Sequence, residues 1–370
     1  MRKIIGIMLM ILLFPVVMTG CSKEDVEVWL EPVMEEMMAG QAGTAAAKGE
    51  EKTELPAIPE IDLSLRINPG MRIAIVSRGK KGEYWDAVQR GMKQALKDIN
   101  AAYGFSRDEQ IRMTYEAPES ESDVDSQINM IDAVLSENPD VLCLAACDAN
   151  SCLAQLETAR ENGIPVVTFD SKVNIEDENL ITAHLGSNNI GIGEMGGYRL
   201  AVAIGKMGKV ALFCGSDKLQ CTTERVEGFK NVVAQYGDIQ VIATVYSNET
   251  ENLTETMKEV LASDPNLVGV FCTSSEVSEA YLNMKKDETL ESVAMIGVDA
   301  TLRQQAAVRS GEEAGIASQY PYAIGYQTIW SAVQAAARRR RSEPVPEILI
   351  QPMWIDRKTI EFKKAENYLF

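Results

Sequence analysis

The stretch Gly163-Ile164-Pro165-Val166-Val167-Thr168-Phe169-Asp170 decides the fold. Gly163 closes a helical stretch over 150–162, and Pro165 directly after it prevents the helix from continuing. Val166 to Phe169 then runs without the alternation of a half-exposed strand, the signature of a strand covered on both faces. Asp170 is the first charged residue past the strand end. Helix, stop, buried strand and polar strand end together make one unit of a parallel α/β sheet.

The same texture extends in both directions. Strands are expected at 72–77, 112–116, 141–145, 165–169 and 180–184, then at 209–213, 240–245, 267–272, 293–298, 315–318 and 347–350. Helical stretches at 83–100, 125–137, 150–162, 189–206 and 222–236 lie between them. The pattern restarts near residue 186, so two doubly wound parallel-sheet lobes of about 120 residues each are expected rather than one sheet. In such sheets ligands bind beyond the carboxyl ends of the strands, which singles out the residues just after each strand.

The amino end is different. Arg2 and Lys3 precede an uncharged run over 4–18, and Met18-Thr19-Gly20 leads into Cys21. The run has the length of a signal-peptide core and is short for a membrane span. Small residues before a cysteine resemble a bacterial lipoprotein signal, with Met18 where leucine is usual. Residues 1–20 are therefore expected to be a signal peptide and Cys21 the lipidated residue. Residues 21–70 are acidic, Gly/Ala-rich and then Pro-bearing, the composition of a flexible spacer.

Charge excludes some functions. The formal net charge is −18, and loss of residues 1–20 removes two basic and no acidic residues, leaving −20. Such a surface is unsuited to nucleic acid or to anionic lipid, so membrane attachment falls to the lipid itself. The single histidine, His184, rules out an imidazole-rich metal site and is expected to be structural, at a strand end. Beyond Cys21, the six remaining cysteines match neither zinc spacing nor a dense disulfide framework. Free buried or half-buried thiols are therefore expected, with Cys214 and Cys221, which flank one loop, the best placed to pair if any do. Gly191 to Gly197 superficially suggests a dinucleotide fingerprint but starts within a helix, so close helix packing is expected. Arg338–Arg341 reads as favourable charge at a helix carboxyl end. No nucleophile elbow or nucleophile–base pair is evident, no cofactor is expected, and the reading is of a binding protein rather than an enzyme.

The strand ends carry a consistent set. Ser77 to Trp85 follows the first strand, Asp170-Ser171 the fourth, and Cys221 to Phe229, Thr273-Ser274, Asp299-Ala300 and Gln319-Tyr320 lie in the second half. Aromatic rings suit the C–H faces of a sugar or polyol, and charged Asp and Arg suit its hydroxyls. With Ile73 to Ser77, Tyr84-Trp85, Ile164 to Asp170, Gly186 to Asn189, Glu224 to Phe229, Ile296 to Asp299 and Ile316 to Gln319 in this order, the chain resembles the type I periplasmic sugar-binding proteins of the ribose/galactose group over about residues 71–356.

The resemblance implies two lobes joined by a three-strand hinge and closing on a ligand. The first lobe would be 71–185 with 320–350, and the second 186–319 with 351–370. It puts stacking aromatics at Tyr84 and Trp85, carboxylates at Asp170 and Asp299, a guanidinium at Arg225, a hinge amide at Gln319 and a further polar contact at Ser274. Gly82, Ser171 and Ser274 depart from the asparagine, arginine and asparagine of the ribose pattern, so a ligand other than ribose is expected. The implied role is a monomeric solute receptor, lipid-anchored on the outer face of the cell membrane, that passes a sugar or polyol to an ABC permease. The alternative is a sensory receptor signalling to a membrane histidine kinase or chemoreceptor.

Overall fold

The computed structural model describes residues 61–285, 292–337 and 347–370. The expected signal peptide, Cys21, the spacer up to residue 60 and Arg338–Arg341 lie outside the described residues. Residues Glu54–Phe370 form one unit.

Its first strands and helices are β1 (Arg72–Val76), α1 (Glu83–Ala102), β2 (Arg112–Glu116), α2 (Val124–Ser136), β3 (Val141–Leu144), α3 (Leu153–Glu161), β4 (Val166–Phe169) and β5 (Ala183–Ser187). Then come α4 (Asn189–Ala203), β6 (Gly208–Cys214), α5 (Gln220–Val233), β7 (Ile239–Tyr246), α6 (Leu253–Ser263), β8 (Leu267–Cys272) and α7 (Ser275–Met284). The remainder is β9 (Ala294–Val298), α8 (Leu302–Ser310), β10 (Gly315–Ser318), α9 (Pro321–Ala337), β11 (Glu347–Ile350) and β12 (Met353–Ile355).

Two six-stranded sheets result, in the orders β11-β5-β4-β3-β1-β2 and β12-β10-β9-β8-β6-β7. Every pairing is parallel except β10 with β12. Interior strands β3 and β4 are buried at every position, whereas edge strand β2 alternates, as two-sided and one-sided cover require. The helix before β4 ends as the opening stretch demands. Gly163 takes φ +69°, and Gly163 N and Ile164 N return hydrogen bonds to the last helical carbonyls.

The fifth and last strands differ from expectation. The fifth strand starts at Ala183, not residue 180, because the Asp177 side chain accepts from Asn179 N and winds Glu178–Leu180 into a 3-10 turn. His184 consequently lies inside the strand rather than at its end. Strand β12 is too short, at Met353–Ile355, to stand out in the sequence. The six described cysteines all carry free thiols, Cys214 at the end of β6 and Cys221 in the first turn of α5.

Among the described residues the chain passes between sheets three times: from β5 into α4, from β10 into α9, and from β11 into β12. Helix α4 leaves the first sheet and packs on the second against α5, while α9 leaves the second and packs on the first against α1. Both pairs use one device. A Cβ at Gly91 would run into the Tyr322 carbonyl, and one at Gly325 into that of Val88. In the other lobe a Cβ at Gly193 would strike the Arg225 carbonyl, and one at Gly228 that of Ile190. Reciprocal glycines thus bring the backbones of each pair together, and the glycine-rich run over 191–197 serves helix packing. Gly228→Val or Gly325→Val should lower unfolding free energy by about 1–3 kcal/mol through overpacking. Urea denaturation measures this, and a midpoint equal to wild type would contradict the close-crossing account.

Candidate ligand-binding cleft

Asp170 and Asp299 occupy equivalent places, each the first residue past an interior strand, β4 and β9. Both take left-handed backbone, φ +58° and +77°, which aspartate tolerates better than most residues. Both side chains are buried. A buried carboxylate in a strained turn is retained only where surrounding groups hold it.

In the first lobe those groups are Tyr84, Arg78 and Ser171. The Tyr84 hydroxyl donates to Asp170 Oδ1 at 2.6 Å, Arg78 Nε to Oδ2 at 2.9 Å, and Ser171 Oγ to Oδ2 at 3.1 Å. Burial opposes the charge on Asp170, but the Arg78 charge, the Tyr84 and Arg78 hydrogen bonds and the Arg225 charge outweigh it and hold the carboxyl below its usual range. Burial and then the Asp170 charge push the Tyr84 phenol well above its ordinary value, so it stays a donor. Arg78 also pairs with Glu121, and the Trp85 indole donates to the other oxygen of Glu121 at 2.6 Å. The Arg78 guanidinium lies over the Trp85 ring, 5.1 Å from its centroid, and Tyr84 meets that ring edge-on at 5.2 Å.

The second lobe supplies a matching cluster. Asp299 accepts from Gln319 Nε2 at 2.6 Å and from Ser275 N at 2.8 Å. Gln319 in turn accepts from Ser187 Oγ at 2.7 Å, tying two of the chain crossings together. Arg225 donates to Asn189 Oδ1 at 3.0 Å and to the Thr273 carbonyl at 2.7 Å, so both protein acceptors of its charge are neutral. The neighbouring Ser274 Oγ is buried with no hydrogen-bond partner among the described residues.

The two clusters face one another in a closed arrangement. Ala149 N donates to the Lys218 carbonyl at 3.2 Å, Ser171 Oγ lies 3.9 Å from Cys221 Sγ, and Lys172 Nζ lies 3.8 Å from Glu224. The structure therefore gathers Tyr84, Trp85 and Asp170 on one side and Arg225, Ser274, Asp299 and Gln319 on the other. Trp85 itself is buried in the first-lobe core, with Arg78 over its ring. Sequence reasoning missed Arg78 and Glu121. Arg78 is the first charged residue past β1 and met the strand-end criterion. Glu121 comes from a Glu/Ser-rich loop with no local signal. Where Ser171 replaces the arginine that the resemblance implies, Arg78 brings a guanidinium to Asp170 from another strand.

Residues 73–340 match the family described as periplasmic binding protein domain. The ribose import binding protein RbsB of Bacillus subtilis is 24% identical over 329 residues, covering 88% of this chain and 90% of that protein. A xylitol-binding protein of Mycolicibacterium smegmatis is 22% identical over 200 residues, 54% of this chain and 56% of that one. Among solved structures, an Agrobacterium vitis ABC transporter solute-binding protein with bound D-fucose superposes with a TM-score of 0.72 at 22% identity, covering 81% of this chain and 100% of that one. A Bacillus halodurans solute-binding protein with bound myo-inositol gives 0.69 at 18% identity, covering 81% and 99%. The chain belongs to the periplasmic binding protein family, type I, and is a binding protein rather than an enzyme. That family works outside the cytoplasm; among the described residues no helix is long and apolar enough to cross a membrane.

His184 lies beside the cleft rather than in it. It lines a groove with Thr168, Lys172 and Glu347, and its Nδ1 is 2.9 Å from Thr168 Oγ1. Burial, then the Lys172 charge, lowers its pKa from 6.5 to about 3. In that window the unfolded chain binds the proton and the folded chain does not. This group's contribution to stability is therefore intact above pH 6.5 and is lost as pH falls toward 3, at about 1.4 kcal/mol per pH unit. Comparing urea midpoints at pH 7 and pH 5, His184→Gln should lose less stability on acidification than wild type. Equal losses would refute the buried neutral imidazole.

Proposed function

We propose that this protein is a lipid-anchored extracytoplasmic solute receptor that captures a sugar or sugar-like polyol between its lobes and delivers it to an ABC permease. The observation that carries the reading is the pair of buried, left-handed strand-end aspartates, Asp170 and Asp299, facing one another from separate lobes with Tyr84, Arg78 and Arg225 around them. Charged acceptors and donors fixed in a closing, water-poor cleft suit vicinal hydroxyls, and each charge-assisted hydrogen bond is stronger than a neutral one. Relatives named for ribose import and xylitol binding, and neighbours holding D-fucose and myo-inositol, support a small polyhydroxylated ligand.

Gly82, Ser171 and Ser274 shorten three side chains relative to the ribose pattern, while Arg78 and Glu121 fill part of the first-lobe floor, so the ligand is not ribose. The Ser274 hydroxyl, buried without a partner among the described residues, is suited to a ligand oxygen. Lipidation at Cys21, after removal of residues 1–20, would keep the receptor near its permease, with residues 21–70 as slack. Ligand favours the closed form because only there do both clusters contact it.

The test is a thermal-shift screen of purified protein against neutral sugars, cyclitols and sugar acids. A tight ligand at a hundredfold excess over Kd adds about 2.7 kcal/mol to apparent stability. A neutral sugar or cyclitol is expected to score. Asp170→Ala, Arg225→Ala and Asp299→Ala should each weaken its binding by about tenfold or more while circular dichroism stays native. A screen in which no such compound raises the melting temperature would overturn the assignment.

A further inference from the structure

Helix α8 begins with a capping box. The Thr301 side chain accepts from Gln304 N, and the Gln304 side chain accepts from Thr301 N. This arrangement leaves the first helical amide, Leu302 N, unserved, and no acidic residue lies in the helix's own first turn. The missing acceptor comes from the other lobe. Glu83 Oε2 accepts from Leu302 N at 2.7 Å, across 219 residues of sequence. Glu83 opens α1, whose first turn also holds Asp86, so α1 keeps an acidic residue at its own positive end.

Placement gives this contact leverage. Glu83 is followed by Tyr84, and Leu302 lies three residues past Asp299, so the bond joins the bases of the two clusters. Beside it the Phe370 ring packs edge-on against Tyr84 at 5.7 Å, and Phe370 N reaches the Ala300 carbonyl at 3.3 Å. A carboxylate on a helix amino end is a charge-assisted bond, and one between lobes exists only while they are closed.

We propose that Glu83 is a closure latch: a positioning residue that touches no ligand and sets the open–closed equilibrium by docking on the amino end of α8. The proposal rests on the two-lobed trap described above, and its test needs no ligand, so it fails or succeeds separately from the sugar assignment. Weakening the latch raises the open fraction, speeds ligand release and leaves the cleft side chains intact.

Cys221 supplies the readout. In the closed form it is 5% exposed and faces Ser171 of the other lobe, whereas Cys143 is fully buried inside the first sheet. N-ethylmaleimide reaction of the full chain, mapped by mass spectrometry, therefore reports lobe opening at Cys221 and global unfolding at Cys143. Glu83→Ala should raise the Cys221 rate about tenfold with Cys143 unchanged, and Glu83→Gln, which keeps an acceptor oxygen, should fall between.

Leu302→Pro removes the donor from the other side. Proline is favoured at the first helical position, Thr301 already has the extended backbone that precedes proline, and the Leu302 side chain is 68% exposed. It should match Glu83→Ala, and the double variant should be no faster than either single one, since all three remove the same bond. An unchanged Cys221 rate, an equal rise at Cys143, or additive single effects would each overturn the latch.

Discussion

The rest of the cleft depends on keeping one carboxylate charged inside protein. Asp170 is buried in a left-handed turn, and alone it would protonate or unfold its surroundings. Arg78 and Tyr84 prevent that, and each is held in its turn, Arg78 by Glu121 and the Trp85 face. The first-lobe floor is therefore a connected polar network that loses its sense if one member is removed. Asp299 is buried as well, held by the Gln319 amide and a backbone N–H, while Arg225 donates to neutral acceptors. The asymmetry leaves the second lobe with the freer hydrogen-bonding capacity, the Ser274 hydroxyl included.

The architecture explains how such clusters are brought face to face without a rigid interface. Each lobe borrows a helix from chain arriving out of the other sheet, and each borrowed helix is seated by reciprocal glycines. The seats are tight, and short crossings after β5, β10 and β11 link the two sheets. Gln319 sits on one crossing and binds Ser187 at another, which places hinge and cleft in a single hydrogen-bonded chain. Contacts between the lobes include the Lys172–Glu224 ion pair and the Leu302 N–H donated to Glu83.

Much of this was legible in the sequence for a specific reason. Buried parallel strands are written as unbroken apolar runs, and the strand-end rule leads from those runs to Asp170, Asp299 and Gln319, which follow β4, β9 and β10, whereas Arg225 lies inside α5. Legibility stopped where long-range contacts decide. Glu121 belongs to a loop whose composition reads as solvated surface, and only Trp85 and Arg78, distant in sequence, draw it into the floor. Leu180-Ile181 looked like a strand start because apolar pattern cannot see that the Asp177 side chain has already committed the backbone to a turn. Strand β12 is defined by its antiparallel partner β10 rather than by its own residues.

The central claim is that a small polyol is held by both lobes at once, between Asp170 and Asp299. A crystal structure of the protein grown with a sugar or cyclitol that raises its melting temperature tests this most directly. The account predicts density in the cleft, with ligand hydroxyls at hydrogen-bond distance, about 2.7–3.0 Å, from both carboxylates. Ligand contacting one lobe only, or seated in the groove beside His184, would contradict it.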